Sequence, residues 1–293
     1  GYALLNMALV PLQLEGLVPA FTSQDGMVMG IPVGLTGGTW ELGLVLVFLC
    51  AALVLTRVHW AVQVLGLLLS AITLQFVAAR IPFVLLILLS SVLVLRLMLW
   101  LDWRWRITAA LTLALLGLLV ANNVRGTPLG DRLSSLTSGD NAVAVRVLFR
   151  LADTSQGVRD INANVIYGLL PNTDNSLLRR AEKTALAWRQ VQQSWPGLEA
   201  WIGHAPGSRG PAVDMAYMRL LVEYGVLGTF AFFAFLVAAA RLHPAMALCT
   251  LLLLLNMLTL DAYMTYKVMS VYFLLAGFFW ANAQSPKARR GGF

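Results

Sequence analysis

Charge is scarce in this chain. Only 12% of its 293 residues are charged, against about 25% in an ordinary soluble domain. Two cysteines, Cys50 and Cys249, both stand inside apolar runs, so no disulfide framework can be read from them. Three histidines, His59, His204 and His243, are far apart in the chain. No DxD pair, P-loop, GxSxG or HExxH element occurs. These absences exclude the usual divalent-metal nucleotide-sugar site, phosphate-loop nucleotide chemistry, the serine hydrolase elbow and the zinc protease helix. What is abundant is apolar: 59% hydrophobic residues and a mean hydropathy of +0.75. That composition excludes a soluble globular enzyme and a disordered chain. It leaves a polytopic helical membrane protein, because a bilayer core is crossed by runs of about 20 apolar residues.

Eight apolar segments stand out, at 2–19, 41–56, 60–78, 82–100, 107–122, 213–240, 244–260 and 268–283. The stretch 65–101 is predominantly apolar, with Arg80 and Arg96 its only charged residues, and is too long for one span. Arg80-Ile81-Pro82 is therefore read as a tight turn, since the residue before a proline avoids helical geometry. Arg57, His59, Arg104, Arg106, Arg241, Lys287, Arg289 and Arg290 fall on one side of these spans. Short loops rich in Lys and Arg stay in the cytoplasm. The long polar segments 20–39 and 123–212 then share the outer side, the periplasm of a bacterium. Three regions result: spans one to five with a short outer loop in 1–122, a large outer loop in 123–212, and spans six to eight in 213–293. No signal peptide is read at the start, and the chain opens at Gly1 within an apolar run. Further sequence is expected ahead of it.

The outer loop carries ten cations: Arg125, Arg132, Arg146, Arg150, Arg159, Arg179, Arg180, Lys183, Arg189 and Arg209. Seven acids and recurrent apolar residues accompany them, so it is not a flexible linker. Across 175–195 the apolar positions Leu177, Ala181, Leu186, Trp188, Val191 and Trp195 mostly follow helical spacing, with Ser176 as a cap and Pro196-Gly197 as a stop. This predicts an amphipathic helix lying on the outer leaflet or packed over the spans. The plainer reading of Lys183 and Arg189 is a solvated face. Beyond it, Gly203-His204-Ala205-Pro206-Gly207-Ser208-Arg209-Gly210-Pro211 is small enough for backbone N–H groups to form an anion nest, though such runs are usually turns.

The next span opens with three ionisable groups, Asp214, Arg219 and Glu223. A helix over 213–240 would be about 42 Å long, more than a ~30 Å bilayer core. Its first turns would protrude, leaving Asp214 at the water boundary and Glu223 deeper. Arg219 and Glu223 are four apart and share a helix face, so a structural ion pair is the plain reading of those two. Ionisable groups at membrane depth are nonetheless candidates for function. An outer arginine cluster beside a carboxylate suits a diphosphate substrate, since guanidinium groups clamp phosphates in a fork. A carboxylate or histidine nearby can take a proton from a hydroxyl acceptor. A polyprenyl-diphosphate-linked glycan has both features.

Four stretches resemble the O-antigen polymerase and O-antigen ligase superfamily of bacterial polysaccharide transferases. Leu35-Thr36-Gly37-Gly38-Thr39-Trp40-Glu41 looks like the "R-x-x-G-x-F" opening of a span, without its arginine. Ala78-Ala79-Arg80-Ile81-Pro82 resembles the "S-R-G" turn. Arg180, Trp188, Pro196 and Gly203-His204-Ala205-Pro206-Gly207 look like the "R…W…P…GxGpG" loop. Asp214-Met215-Ala216-Tyr217-Met218 with Glu223-Tyr224-Gly225-Val226-Leu227-Gly228 is similar to "[HD]N-x-Y-L…E-x-G-x-x-G".

The resemblance implies an all-α polytopic membrane bundle with a large periplasmic loop over a lateral cleft. The implied activity is an inverting, metal-independent glycosyl transfer without cofactors. Arg80 and Arg180 match arginines expected to engage the diphosphate, and Arg146 is a weaker match. Arg209, Tyr217, Arg219 and Glu41 complete the candidate substrate-binding set. Asp214, with His204 and Glu223, forms the candidate catalytic set. Asp214 stands where ligases carry histidine, which favours a polymerase; His204 in the neighbouring loop could replace that base. The implied partners are an undecaprenyl-diphosphate-linked glycan donor, a glycan acceptor, the bilayer and a chain-length regulator, and no nucleic acid. The implied site is the periplasmic face of the bacterial inner membrane. Family members usually have ten to twelve spans. An O-antigen ligase or protein O-oligosaccharyltransferase is the alternative within the superfamily. From another class, a polyprenyl-lipid or solute transporter remains; the sequence holds no internal repeat of the transporter kind.

The Lys/Arg asymmetry predicts that Arg104 and Asp160 lie on opposite sides of the membrane. Cysteine-accessibility labelling in intact cells should reach position 160 from outside and not position 104.

Overall fold

The computed structural model describes residues 2–15, 17, 39–56, 58–77, 80–100, 139–154, 163–170, 173, 175–205, 215–258 and 265–284. Among the described residues every regular element is helical and none is a strand. The helices are α1 (Tyr2–Leu14), α2 (Thr39–Val54), α3 (Trp60–Val77), α4 (Arg80–Trp100), α5 (Gly139–Thr154), α6 (Ala163–Leu169), α7 (Asn175–Ser194), α8 (Leu198–Ile202), α9 (Ala216–Ala240), α10 (Pro244–Met257) and α11 (Tyr266–Gln284). The chain divides into two compact units. One contains Gly1–Arg132, Ala240–Leu252 and Tyr266–Phe293; the other contains Leu133–Ala239 and Leu253–Thr265. The described residues of the expected outer loop and of the sixth apolar segment up to Ala239 belong to the second unit. The fifth apolar segment, 107–122, lies outside the described residues, as do Arg209 and Asp214.

In the first unit α2 is the central element, with Leu42, Leu44, Leu46 and Phe48 all fully buried. Its last carbonyls are not left orphaned. The Gln63 side-chain amide reaches the carbonyls of Leu53, Val54, Thr56 and Val58 at 3.1–3.3 Å, turning the chain into α3. Tyr272 of α11 packs its ring on Phe48 at 5.9 Å, and its hydroxyl meets that of Thr250 at 2.6 Å. Both cysteines are buried and free. Before α10, His243 Nδ1 accepts the Ala245 N–H at 3.1 Å and the ring stacks on Phe279. Burial lowers the pKa of this imidazole, so the acceptor form is favoured. Its contribution to stability is present above the ordinary histidine value and is lost as pH falls through the lowered one. Elsewhere Val84, Ile87, Leu88, Val92 and Leu95 of α4, and Phe273, Leu274, Phe278 and Trp280 of α11, leave broad apolar faces exposed.

In the second unit α5, α6 and α7 enclose a core of Ala144, Leu148, Ile166, Leu178, Ala181 and Ala185. The alanines bring α5 and α7 close, and Leu148 fills the space between them. The helix expected over 175–195 runs over Asn175–Ser194 and packs against α5 and α6 through one set of residues. A second seam joins it to α9: Ala187 and Val191 meet Met218 and Val222, each pair one turn apart.

α9 differs from the expected continuous helix over 213–240. Gly225 adopts φ 65°, ψ −171°, which no helix contains. The Tyr217 and Phe233 rings stack with centroids 5.8 Å apart. Sixteen residues of straight helix would separate them by about 24 Å, so the chain folds back on itself at Gly225. By length and composition Ala216–Ala240 is the one described helix able to cross a membrane. Beyond the break only 226–240 runs on, about 22 Å of helix.

Leu148 is fully buried in the α5–α7 core. Leu148→Ala should therefore cost about 2–5 kcal/mol of local stability. Amide exchange across Gly139–Thr154 should accelerate accordingly, while α2 keeps its protection.

Candidate functional site

The site forms where the chain leaving α7 reaches the broken helix. α7 ends at Ser194, the Trp195–Pro196 bond is cis, and Gly197 begins the single turn of α8. Gly203 ends that turn at φ 82°, ψ 177°, and the chain then crosses α9. His204 N–H donates to the Val222 carbonyl at 2.8 Å, and Ala205 N–H donates to the Glu223 carbonyl at 3.2 Å. In an unbroken helix these carbonyls would accept from residues four positions on. The fold-back at Gly225 removes those partners and the loop supplies replacements.

Both glycines are required by this crossing. Each has a combination of φ and ψ that is essentially restricted to glycine. A side chain on Gly203 would also strike the Glu223 carbonyl, and one on Gly225 would strike the Trp201 carbonyl. Backbone thus lies directly on backbone, with no room for a Cβ between.

Two polar groups flank the crossing. Within α9, Arg219 Nε donates to Glu223 Oε1 at 2.9 Å, and both side chains are almost completely buried. Glu223 Oε2 is buried too and has no hydrogen-bond partner among the described residues. On the loop, His204 Nε2 lies 2.8 Å from Ser194 Oγ. The Ser194 hydroxyl donates to the Gln190 carbonyl at 2.9 Å. The other ring nitrogen, Nδ1, lies 3.6 Å from Glu199 Oε2. Ser194, Trp195, Glu199, Ala200, His204 and Val222 line a cavity of about 40 Å³ here.

The second unit therefore brings together His204, Arg219 and Glu223 of the expected set. Arg146 lies exposed on α5 and Arg180 half-buried on α7, within the same unit. Tyr217 has its hydroxyl on the Leu254 carbonyl at 2.5 Å, a structural bond. Arg80 opens α4 and Glu41 sits in the first turn of α2, both in the other unit. Sequence reasoning missed Ser194 and Glu199. No spacing rule links them to His204; the turn after α7 does. Among the described residues no group of three His, Cys, Asp or Glu side chains is placed to hold a metal ion. The first unit carries a separate apolar groove of about 580 Å³ along α11, lined by Leu49, Val271, Leu274, Leu275 and Phe278, with Lys267 at one end. Compared with protein-family models, curated proteins and solved structures, the chain matches none.

Gly225→Ala and Gly203→Ala should each destabilise the chain by more than the ~1–3 kcal/mol of the backbone conformation alone, since a carbonyl must also move. Gly277→Ala, with open space around its Cβ, should be neutral or stabilising by up to ~1 kcal/mol. Thermal unfolding in detergent would rank the three.

Proposed function

We propose that this chain is a membrane glycosyltransferase. It would polymerise or transfer undecaprenyl-diphosphate-linked oligosaccharide repeat units at the outer face of the bacterial inner membrane. One observation carries the reading: the loop bearing His204 is hydrogen-bonded onto a broken apolar helix beside the buried Arg219–Glu223 pair. A proton acceptor and buried charges thus meet in the unit that also carries Arg146 and Arg180. In this reading Arg180, with Arg80 and Arg146, binds the donor diphosphate. Asp214 or His204 takes the proton of the acceptor hydroxyl. Glu223 is held by Arg219 and sets the local charge. The apolar faces of α4 and α11 and the groove beside Lys267 support a lipid environment and a lipid-borne donor. The eight-span arrangement belongs to this proposal.

The break in α9 favours a second reading, transport of a polyprenyl lipid or solute, because discontinuous helices are common at transporter sites. Purified protein supplied with lipid-diphosphate repeat units separates the two. A ladder of products marks a polymerase, a single transfer a ligase, and movement without a new bond a transporter.

Under the enzymatic reading Arg180→Lys should lose most turnover, since an ammonium cannot reproduce the two-pronged contact. Asp214→Asn should keep donor binding and lose about 10²–10⁴-fold in rate if Asp214 is the base. His204→Ala should then do much less, and reversed effects would assign the base to His204 and favour the ligase. Full turnover in Arg180→Lys and Arg80→Lys with normal expression would end the diphosphate role.

A further inference from the structure

The turn that joins α7 to α8 carries two exposed indole rings that the transfer reaction leaves unused. Trp195 and Trp201 are 58% and 43% exposed, and their ring centroids lie 6.1 Å apart. Trp195 lines the same cavity as Glu199 and His204. In that cavity His204 Nδ1 and Glu199 Oε2 face each other at 3.6 Å. The Glu199 side chain is 65% exposed, and a carboxylate beside an imidazole offers hydroxyl groups two hydrogen-bonding partners at the foot of the indole.

We propose that this turn is a glycan subsite, with a sugar ring resting on Trp195 and its hydroxyls hydrogen-bonded to the Glu199 carboxylate and the His204 imidazole. The proposal deepens the glycosyltransferase reading and rests on it for the substrate class. The chemistry selects among ligands. An anionic phosphate or carboxylate would be repelled by Glu199. A sugar edge offers adjacent hydroxyl donors, and its C–H face matches the flat apolar face of an indole. The cavity of about 40 Å³ holds one hydroxyl or water, not a whole ring. The sugar therefore sits on the surface with one edge inserted, as suits a unit within a longer chain. The imidazole is held in place from behind: His204 N–H is tied to Val222, and its ring is tied to Ser194 at the end of α7. Little ordering of this ring is left to oppose binding.

The test is binding of the detergent-purified full chain to an array of bacterial surface oligosaccharides, without any lipid donor. Wild type should bind at least one glycan. Trp195→Ala, Glu199→Gln and His204→Phe should each weaken that binding about tenfold, the size of one good contact. Trp195→Tyr, which restores a flat ring, should recover part of it. Thermal unfolding of each variant separates lost contacts from lost folding. The proposal is overturned if no glycan binds, or if binding ignores all three substitutions. It is also overturned if the Trp195-dependent fluorescence of reconstituted protein is quenched by spin-labelled lipid, since exposed Leu198 and Ile202 would then mark a bilayer contact. Glycan binding without transfer would sink the enzymatic reading and leave the subsite standing. Transfer whose acceptor KM ignores Trp195→Ala and Glu199→Gln would do the reverse.

Discussion

The second unit depends on a crossing of two backbones. At Gly203 and Gly225 the chain passes over itself with no side chain between, and two loop N–H groups take carbonyls that the broken helix leaves open. Unpaired buried backbone groups cost too much to persist. Loop and break therefore require each other: without the loop, the Val222 and Glu223 carbonyls are orphaned. Without the break, those carbonyls are already taken. The site inherits its geometry from this mutual requirement. His204 is placed by its own backbone, and the Ser194 contact then orients its ring.

The buried ion pair follows from the same constraint. Arg219 and Glu223 lie on the arm ahead of the break, covered by protein. Isolated charges there would be untenable, and deleting one partner of a buried pair typically costs about 3–5 kcal/mol. Their spacing of one turn lets each neutralise the other within a single helix. The second carboxylate oxygen of Glu223 stays unbonded among the described residues, so the pair is only partly satisfied. Around it, packing relies on small residues. Ala187 on α7 permits the approach of α9, as Ala181 and Ala185 permit the approach of α5 and α6.

Much of this was legible in the chain. Low charge and high apolar content led to an all-helical reading, and every regular element among the described residues is helical. The amphipathic pattern over 175–195 located α7 to within a residue, because Pro196-Gly197 stops a helix for local reasons. The Arg219–Glu223 pair was readable from its four-residue spacing alone. The break was not. Glycine in an apolar helix is common, and nothing near Gly225 distinguishes a tolerated glycine from a reversal. Nor was it legible that the Tyr217 hydroxyl donates to the Leu254 carbonyl, 37 positions away.

Local rules therefore decided which segments are helical, where α7 stops and which charges pair along one helix face. Periodicity, proline and glycine act over a few residues, and those features depend on nothing further away. Only the tertiary structure decided that α9 folds back at Gly225 and that Ser194, Glu199 and His204 share one cavity. Those outcomes depend on which distant backbone groups compete for the same carbonyls. A linear pattern carries no record of that competition.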